Sequence, residues 1–170
     1  MNAATHASPD AREQRIWELL GAVPDPEIPV LSIVDLGIVR HVRLDAAGCL
    51  TVGLTPTYSG CPATEAIRSA TRTVLDAHGH ADVVLEEVLS PPWSSTWLSP
   101  QGREKLRAYG IAPPEQASAN PRHLWHAPRV TCPRCGSRDS ERLSEFGSTP
   151  CKAHYRCKGC REPFDYFKCL

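Results

Sequence analysis

The sequence has no excess of charge of one sign, no long apolar run and no opening segment that resembles a secretory signal. Its 19 basic and 19 acidic residues give a formal net charge of zero, which offers no indication of a nucleic-acid partner or an anionic membrane surface. No apolar run approaches the roughly 18 residues of a membrane span. The opening stretch MNAATHASPD has no cationic segment followed by an apolar one. We therefore expect a cytoplasmic protein with no nucleic-acid or membrane partner.

Cysteine, by contrast, is abundant and unevenly placed. The chain has 170 residues and eight cysteines, and six of the eight follow residue 130. Disulfides would be expected in a secreted chain, but without an export signal the asymmetry favours a local metal site. The length allows one ordinary domain and a small appendage.

Hydrophobic periodicity predicts an α+β domain over residues 10–110. A 3.6-residue apolar repeat predicts helices at DAREQRIWELLGAV and after TPTYSGCP. One face of the second helix is expected to hold Ala63, Ala66, Ile67, Ala70 and Val74. Strands are predicted at GIVRHVRLD, CLTVGLT and ADVVLEEVL, the first two as a hairpin, and Ser99 is expected to cap a last helix. This order predicts a small three-stranded sheet with helices packed on it.

The rest of the chain divides into a linker and a second unit. Residues 111–129 are rich in proline and alanine and are predicted to be a linker. Residues 130–170 contain two C-x2-C pairs about twenty residues apart, the spacing that binds one tetrahedral zinc ion in a β-rich zinc ribbon. The predicted zinc ligands are Cys132, Cys135, Cys157 and Cys160.

The predicted zinc is structural. About forty residues rarely bury enough apolar surface to fold alone, and four protein ligands leave no coordination position open for catalysis. Around the metal, short strands are expected to be packed by the apolar residues Leu143, Phe146, Tyr155, Phe164, Tyr166 and Phe167.

Two further thiols, Cys151 and Cys169, follow no metal-binding spacing. Each is compatible with an ordinary buried or exposed cysteine. The alternative is a second sulfur cluster near the zinc that holds metal or contacts a cluster on a partner. The cysteines outside the zinc set are not grouped together, so no iron-sulfur signature is recognised.

Cys61 stands at the predicted start of a helix, directly before Pro62. We place Cys61 at the N-cap and Pro62 at the first helical position. The unpaired amides and partial positive charge of a helix N-terminus favour a thiolate there. The alternative interpretation is a small N-cap residue packed by Tyr58. Nearby histidines are expected to be surface residues rather than a catalytic base, which counts against a cysteine hydrolase.

An acidic segment, PDPEIPV, precedes this loop in the chain. Its prolines forbid regular structure and make it stiff, with Asp25 and Glu27 held between them. Carboxylates close to Cys61 would oppose ionisation of its thiol, whereas a bound cation would let thiolate and carboxylates act together as ligands.

The stretches DPEIPV, VDLGIV and TPTYSGCP together resemble the metal-sulfur cluster assembly domain of the SufT type. The resemblance implies that Cys61 is a reactive thiol or transient metal ligand, supported by Asp25, Glu27 and Thr55. With the tail EFGSTPCKAHYRCKGCREPFDYFKC, the chain from residue 16 to 170 resembles the family of accessory proteins encoded with the phenylacetyl-CoA ring epoxidase of aerobic phenylacetate breakdown.

This family resemblance implies a maturation factor for phenylacetyl-CoA 1,2-epoxidase and not an enzyme. It would assist assembly or repair of an iron or iron-sulfur centre in the di-iron oxygenase or in its reductase, and these subunits are the expected partners, with self-association left open. The expected cofactors are structural zinc and a transient iron ion or iron-sulfur cluster. The ribbon would dock the client through Phe164, Tyr166 and Phe167, or through the loop at Phe146.

Two alternatives stay open at this point. A non-catalytic structural subunit of the epoxidase complex would not need Cys61 and would copurify with the catalytic subunits in fixed ratio. A thiol-dependent enzyme would need a base near Cys61, and the sequence shows no recognisable one.

Overall fold

The structure is a computed structural model, and it describes residues 11–45, 47–58, 60–115 and 130–168. Asp10 at the start of the first predicted helix, most of the predicted linker and Cys169 lie outside these residues. Within the described part of the chain, no helix has the length and apolar character needed to cross a membrane. The cytoplasmic location stays a prediction.

The first unit has the element order that the periodicity predicts. Its helices and strands are α1 (Ala11–Leu20), β1 (Val39–Leu44), β2 (Leu50–Leu54), α2 (Ala63–Ala77), β3 (Val84–Glu87) and α3 (Pro100–Tyr109). A 3-10 turn at Ser95–Trp97 precedes α3. The predicted cap of α3 is confirmed, because the hydroxyl of Ser99 accepts a hydrogen bond from the Gly102 N–H at 2.8 Å.

The first sheet has the strand order β1-β2-β3. Strands β1 and β2 pair antiparallel, with Val42 opposite Val52, which confirms the hairpin. Strands β2 and β3 pair parallel, with Val52 beside Leu85. Parallel neighbours need a crossover connection, and α2 supplies it. The predicted α+β class with a three-stranded sheet is therefore confirmed.

The buried face of α2 differs in part from the predicted one. Its buried side chains are Ala63, Ile67, Thr71 and Leu75. Ala66 is exposed, and Ala70 and Val74 are only half-buried. The helix turns the face with fully buried Leu75 towards the core. Covering a leucine removes more apolar surface from water than covering an alanine, so this face is favoured over the alanine face.

The second unit is β-rich, as predicted, and its sheet has the order β4-β7-β6-β5. Its strands are β4 (Ile111–Ala112), β5 (Ser140–Ser144), β6 (Lys152–Cys157) and β7 (Pro163–Phe167). Strand β4 pairs parallel with β7, so the first two residues of the predicted linker form an edge strand of the ribbon sheet. The division into residues 10–110, 111–129 and 130–170 otherwise stays a prediction.

The aromatic residues of β6 and β7 form cores rather than a docking surface. The ring of Tyr155 lies 5.9 Å from that of Phe164 and 5.6 Å from that of Tyr166. Phe164, Tyr166 and Phe167 are each at most 4 % exposed. The expectation that these three contact a client was therefore wrong, because so small a sheet needs its aromatic residues to build a core. Two residues expected in that core are instead exposed, Leu143 and Phe146.

The ribbon and the first unit share a hydrophobic core. Cys151 and Phe167 belong to the cluster that includes α1, α2 and the first sheet. The ring of Phe167 meets Trp93 edge-on, with 6.1 Å between centroids. The indole N–H of Trp93 in turn donates to the Leu36 carbonyl at 2.8 Å. The ribbon is therefore packed against the first unit and contributes side chains to it.

Gly37, in VDLGIV, has a conformation and a contact that exclude a larger residue. Its φ is +67°, and an added Cβ would lie 2.7 Å from the Trp97 carbonyl oxygen. We expect Gly37→Ala to lower the free energy of unfolding by about 2–3 kcal/mol, from the left-handed backbone and from overpacking. Urea unfolding of the purified variant measures this loss.

The hairpin offers a matched control for that substitution. Gly48 also has positive φ, +86°, but an added Cβ there meets no atom within 4 Å. Gly48→Ala therefore carries the backbone cost without the Trp97 contact. Equal losses in the two variants would contradict a contribution from that contact.

Candidate functional site

Four thiols converge in the ribbon. The sulfur atoms of Cys132, Cys135, Cys157 and Cys160 all lie within 4.8 Å of one another. Cys132 and Cys160 are separated by 3.8 Å and Cys135 and Cys157 by 3.5 Å, sulfur to sulfur. Four sulfurs bound tetrahedrally at the zinc–sulfur distance of about 2.3 Å would be about 3.8 Å apart. The predicted ligand set therefore fits a structural metal site with no open position.

The backbone of each C-x2-C pair shapes this site. Gly136 and Arg161, each directly after the second cysteine of its pair, have positive φ, +74° and +65°. In the second pair, the N–H of Cys160 points at the Cys157 sulfur from 3.5 Å. That hydrogen bond is the strongest of several that lower the pKa of Cys157, against the effect of desolvation, to about 6. The sulfur is thus prepared as the thiolate that binds metal.

A second group of reactive side chains surrounds a cavity between the first unit and the ribbon. The cavity has a volume of about 30 Å³. Its lining includes the four residues that the resemblance implies and one thiol of the ribbon: Asp25, Glu27, Thr55, Cys61 and Cys151. A water molecule needs roughly 10–15 Å³ of such volume, so the cavity has room for about two water molecules or one ion with a water.

The acidic segment reaches this cavity without forming a helix, as its prolines predict. One carboxylate oxygen of Asp25 accepts hydrogen bonds from the N–H groups of Glu27 at 2.9 Å and Ile28 at 2.7 Å. Asp25 is buried, and desolvation raises its pKa despite those N–H groups and the nearby Lys152 charge. The two hydrogen bonds hold the turn rigid and place Glu27 at the cavity.

Cys61 lies one residue further from the helix than predicted. The N-cap of α2 is Pro62, with φ −66° and ψ −21°, and no side chain caps the helix. The N–H of Thr64 donates to the Cys61 carbonyl at 3.2 Å. This i to i+3 bond makes the first turn tight, so the α-helix begins only at Ala63. The half-buried thiol of Cys61 therefore lines the cavity instead of capping α2.

The hydroxyl of Tyr58 lies close to the same groups. Its oxygen is buried and has no hydrogen-bond partner among the described residues. Desolvation and the neighbouring Cys61, Glu27 and Cys151 raise the pKa of Tyr58 to about 12. Tyr58 thus lies beside the two thiols and the Glu27 carboxylate without lining the cavity itself.

Cys151 belongs to this cavity and is not grouped with the four converging cysteines of the ribbon. It is 5 % exposed, its thiol donates to a Glu27 carboxylate oxygen at 3.5 Å, and it lies 3.0 Å from the Thr149 hydroxyl. Burial, with the Glu27 charge, raises the pKa of Cys151 to about 11. Sequence reasoning identified this thiol but not its place, because Glu27 and Cys151 are 124 residues apart.

Thr55 lines the cavity, whereas the described histidines do not. Thr55 is buried, its hydroxyl donates to the Pro56 carbonyl at 3.5 Å and its N–H to the Ile38 carbonyl at 2.9 Å, which fixes the start of the loop. His41 instead contacts Glu86 at 3.1 Å. No histidine is among the described residues that line the cavity, so a nearby imidazole base for Cys61 is absent from this part of the chain.

Two family descriptions match separate parts of the chain. Residues 13–84 match the iron-sulfur cluster assembly protein family, and residues 116–168 match the PaaD zinc beta ribbon domain. The crystal structure of a domain of unknown function, DUF59, from Bacillus anthracis has a TM-score of 0.53 at 32% identity, covering 56% of this chain and 92% of that one.

Sequence comparison extends the match to nearly the whole chain. It is 52% identical over 167 residues to a protein of Escherichia coli strain K12 that is provisionally named as a subunit of 1,2-phenylacetyl-CoA epoxidase, with 98% of each chain covered. It is 38% identical over 78 residues to the Fe-S protein maturation auxiliary factor SufT of Staphylococcus aureus strain USA300, covering 45% of this chain and 88% of that protein. The chain therefore belongs to the PaaD family of phenylacetyl-CoA epoxidase subunits.

Proposed function

We propose that the chain is a non-catalytic accessory protein of a phenylacetyl-CoA epoxidase system. It assists assembly of an iron or iron-sulfur centre in the oxygenase or in its reductase. The names of its relatives support the two halves of this proposal, the epoxidase system and Fe-S maturation. The observation that carries it is the thiol of Cys61 in a cavity with Asp25 and Glu27.

The cavity suits brief rather than permanent binding of iron. Thiolates and carboxylates are both iron ligands. Among the described residues, only the four ribbon cysteines form a group of three or more such ligands within 4.8 Å of one another. An iron ion at Cys61 would thus find an incomplete shell, which favours its transfer to a client that offers more ligands.

The ribbon metal in this proposal is zinc, and it has no part in the transfer. Four thiolates in a tetrahedral arrangement suit zinc or iron. The sulfur separations of 3.5 and 3.8 Å support a closed tetrahedral shell. A small β-rich unit with such a shell uses its metal to fold.

Coexpression of the chain with the epoxidase subunits tests the proposal. With Cys61→Ala we expect a folded accessory protein with about one zinc per chain, and epoxidase that has lost most of its iron or cluster. Exposed Cys49, in the β1–β2 turn, offers the matched control, since Cys49→Ala removes a thiol far from the cavity lining. Metal and sulfide analysis of anaerobically purified subunits provides the measurement.

Two outcomes would contradict the proposal. Fully loaded, active epoxidase made with Cys61→Ala would exclude a maturation role for this thiol. If the chain also copurified with the oxygenase in fixed ratio, a structural subunit would be the better account.

A further inference from the structure

We infer that Cys151 is a second thiol ligand of the cavity, and that the cavity takes a single ferrous ion between Cys61, Cys151 and Glu27. This inference rests on the proposed function and deepens it. It names the cargo as one Fe²⁺ ion and gives the ribbon a direct part in holding it.

The first support is the convergence of two thiols from different units. Cys61 precedes α2 in the first unit, and Cys151 precedes β6 in the ribbon, yet both line the same cavity. Cys151 is 5 % exposed and its sulfur lies 3.5 Å from a carboxylate oxygen of Glu27. Cys151 packs in the shared hydrophobic cluster, yet its sulfur also contacts an acid at the cavity.

The second support is the position of the Tyr58 hydroxyl. Its oxygen is buried, and the charges of Cys61, Glu27 and Cys151 all affect its ionisation. Tyr58 does not line the cavity itself. Its surroundings nevertheless place the two thiols and the carboxylate around one point.

The donor set and the space select the ion. Two sulfurs favour zinc, copper(I) or iron, and a carboxylate oxygen favours harder ions, so the mixture suits Fe²⁺. A cavity of about 30 Å³ has room for one ion with a water. Asp25 already accepts two N–H bonds on one oxygen, which gives it a supporting place beside Glu27.

Binding would require small movements and would release protons. The sulfurs of Cys61 and Cys151 and the Glu27 oxygens are not all within 4.8 Å of one another, so they must close on the ion. Each thiol that binds Fe²⁺ loses its proton to solvent. Since burial raises the pKa of Cys151 to about 11, that thiol is protonated before iron arrives, and iron affinity should rise with pH.

The test uses the full chain with zinc in its ribbon and ferrous iron as the anaerobic probe. Iron-edge X-ray absorption should count two sulfur neighbours in wild type and one in Cys151→Ser. We expect Cys151→Ser to bind Fe²⁺ at least tenfold more weakly and to flatten the pH dependence, while Cys49→Ser matches wild type. One sulfur or none at wild-type iron would overturn the inference. Four sulfur neighbours would also overturn it, because they would place the iron in the ribbon.

The maturation assay separates this inference from the proposed function. If Cys61→Ala abolishes epoxidase loading while Cys151→Ser supports it fully, the inference is overturned and the proposed function stands. If both variants support full loading, the proposed function falls, and the sulfur count alone decides the site. Should Cys151→Ser fail to fold, the wild-type sulfur count still decides.

Discussion

Removing the ribbon metal is expected to unfold residues 130–168. The ribbon core is small, built around Tyr155, Phe164 and Tyr166, and a unit of this size rarely folds on apolar burial alone. Structural zinc contributes about 10–16 kcal/mol in small zinc-binding units. We choose Cys157→Ser to remove the metal, because Cys157 is fully buried and its sulfur lies 3.5 Å from that of Cys135.

The loss should spread to the cavity at Cys61. Phe167 is 2 % exposed and packs on Trp93, so ribbon unfolding withdraws it from the shared core, and Phe-to-Ala losses in cores cost about 3–5 kcal/mol. Cys151 leaves Glu27 at the same time. We therefore expect the first unit to stay folded but to melt at a lower temperature.

Hydrogen exchange followed by mass spectrometry measures both effects. In Cys157→Ser, or in wild type treated with a strong chelator, the amides of β6 and β7 should lose protection while α2 and β2 keep most of theirs. Cys49→Ser, which removes an exposed thiol, is the control. Full protection of β6 after the metal is gone would contradict a metal-dependent ribbon.

Replacing Asp35 by alanine is expected to lower the free energy of unfolding by about 3–5 kcal/mol. This carboxylate is 5 % exposed. It accepts hydrogen bonds from the Ser32 N–H at 3.0 Å, from the Ser99 hydroxyl at 3.2 Å and from the Lys105 ammonium at 2.6 Å. It thus joins the VDLG loop to the start of α3, and its loss leaves buried donors without a partner.

The contribution of Asp35 should also depend on pH. Burial opposes its ionisation, but hydrogen bonds from Lys105 and Ser32 outweigh burial and lower its pKa below the ordinary 3.8. A carboxyl group whose pKa is lowered by folding stabilises the fold above its unfolded pKa, and that stability is lost as the pH falls through the folded value. The stability of wild type should therefore decline below about pH 4 more steeply than that of Asp35→Asn.

Chemical unfolding at a series of pH values checks both statements. Asp76, an exposed carboxylate near the end of α2, offers the control, and Asp76→Ala is expected to change stability by less than about 0.5 kcal/mol. Parallel pH profiles for wild type and Asp35→Asn would show that the Asp35 charge does not contribute.

Features that depend on neighbours along the chain could be predicted from the amino-acid sequence alone. The two C-x2-C pairs identify the four cysteines whose sulfurs converge, because a two-residue spacer already directs both sulfurs of a pair to one point. The element order follows from periodicity, and the cap at Ser99 from local hydrogen bonding. The start of α2 was wrong by one residue, since a tight first turn and an α turn have the same sequence signals.

The side chains that share the cavity and the aromatic residues that are buried became known only from the packed fold. Glu27 and Cys151 meet across 124 residues of chain, and no local pattern encodes that contact. In the sequence, Phe164 and Tyr166 fit a docking surface as well as they fit a core. The pairing of β6 with β7 and the burial of both rings show that they belong to the core. Burial depends on what packs against a residue. In this chain the ribbon packs against the unit that carries Cys61.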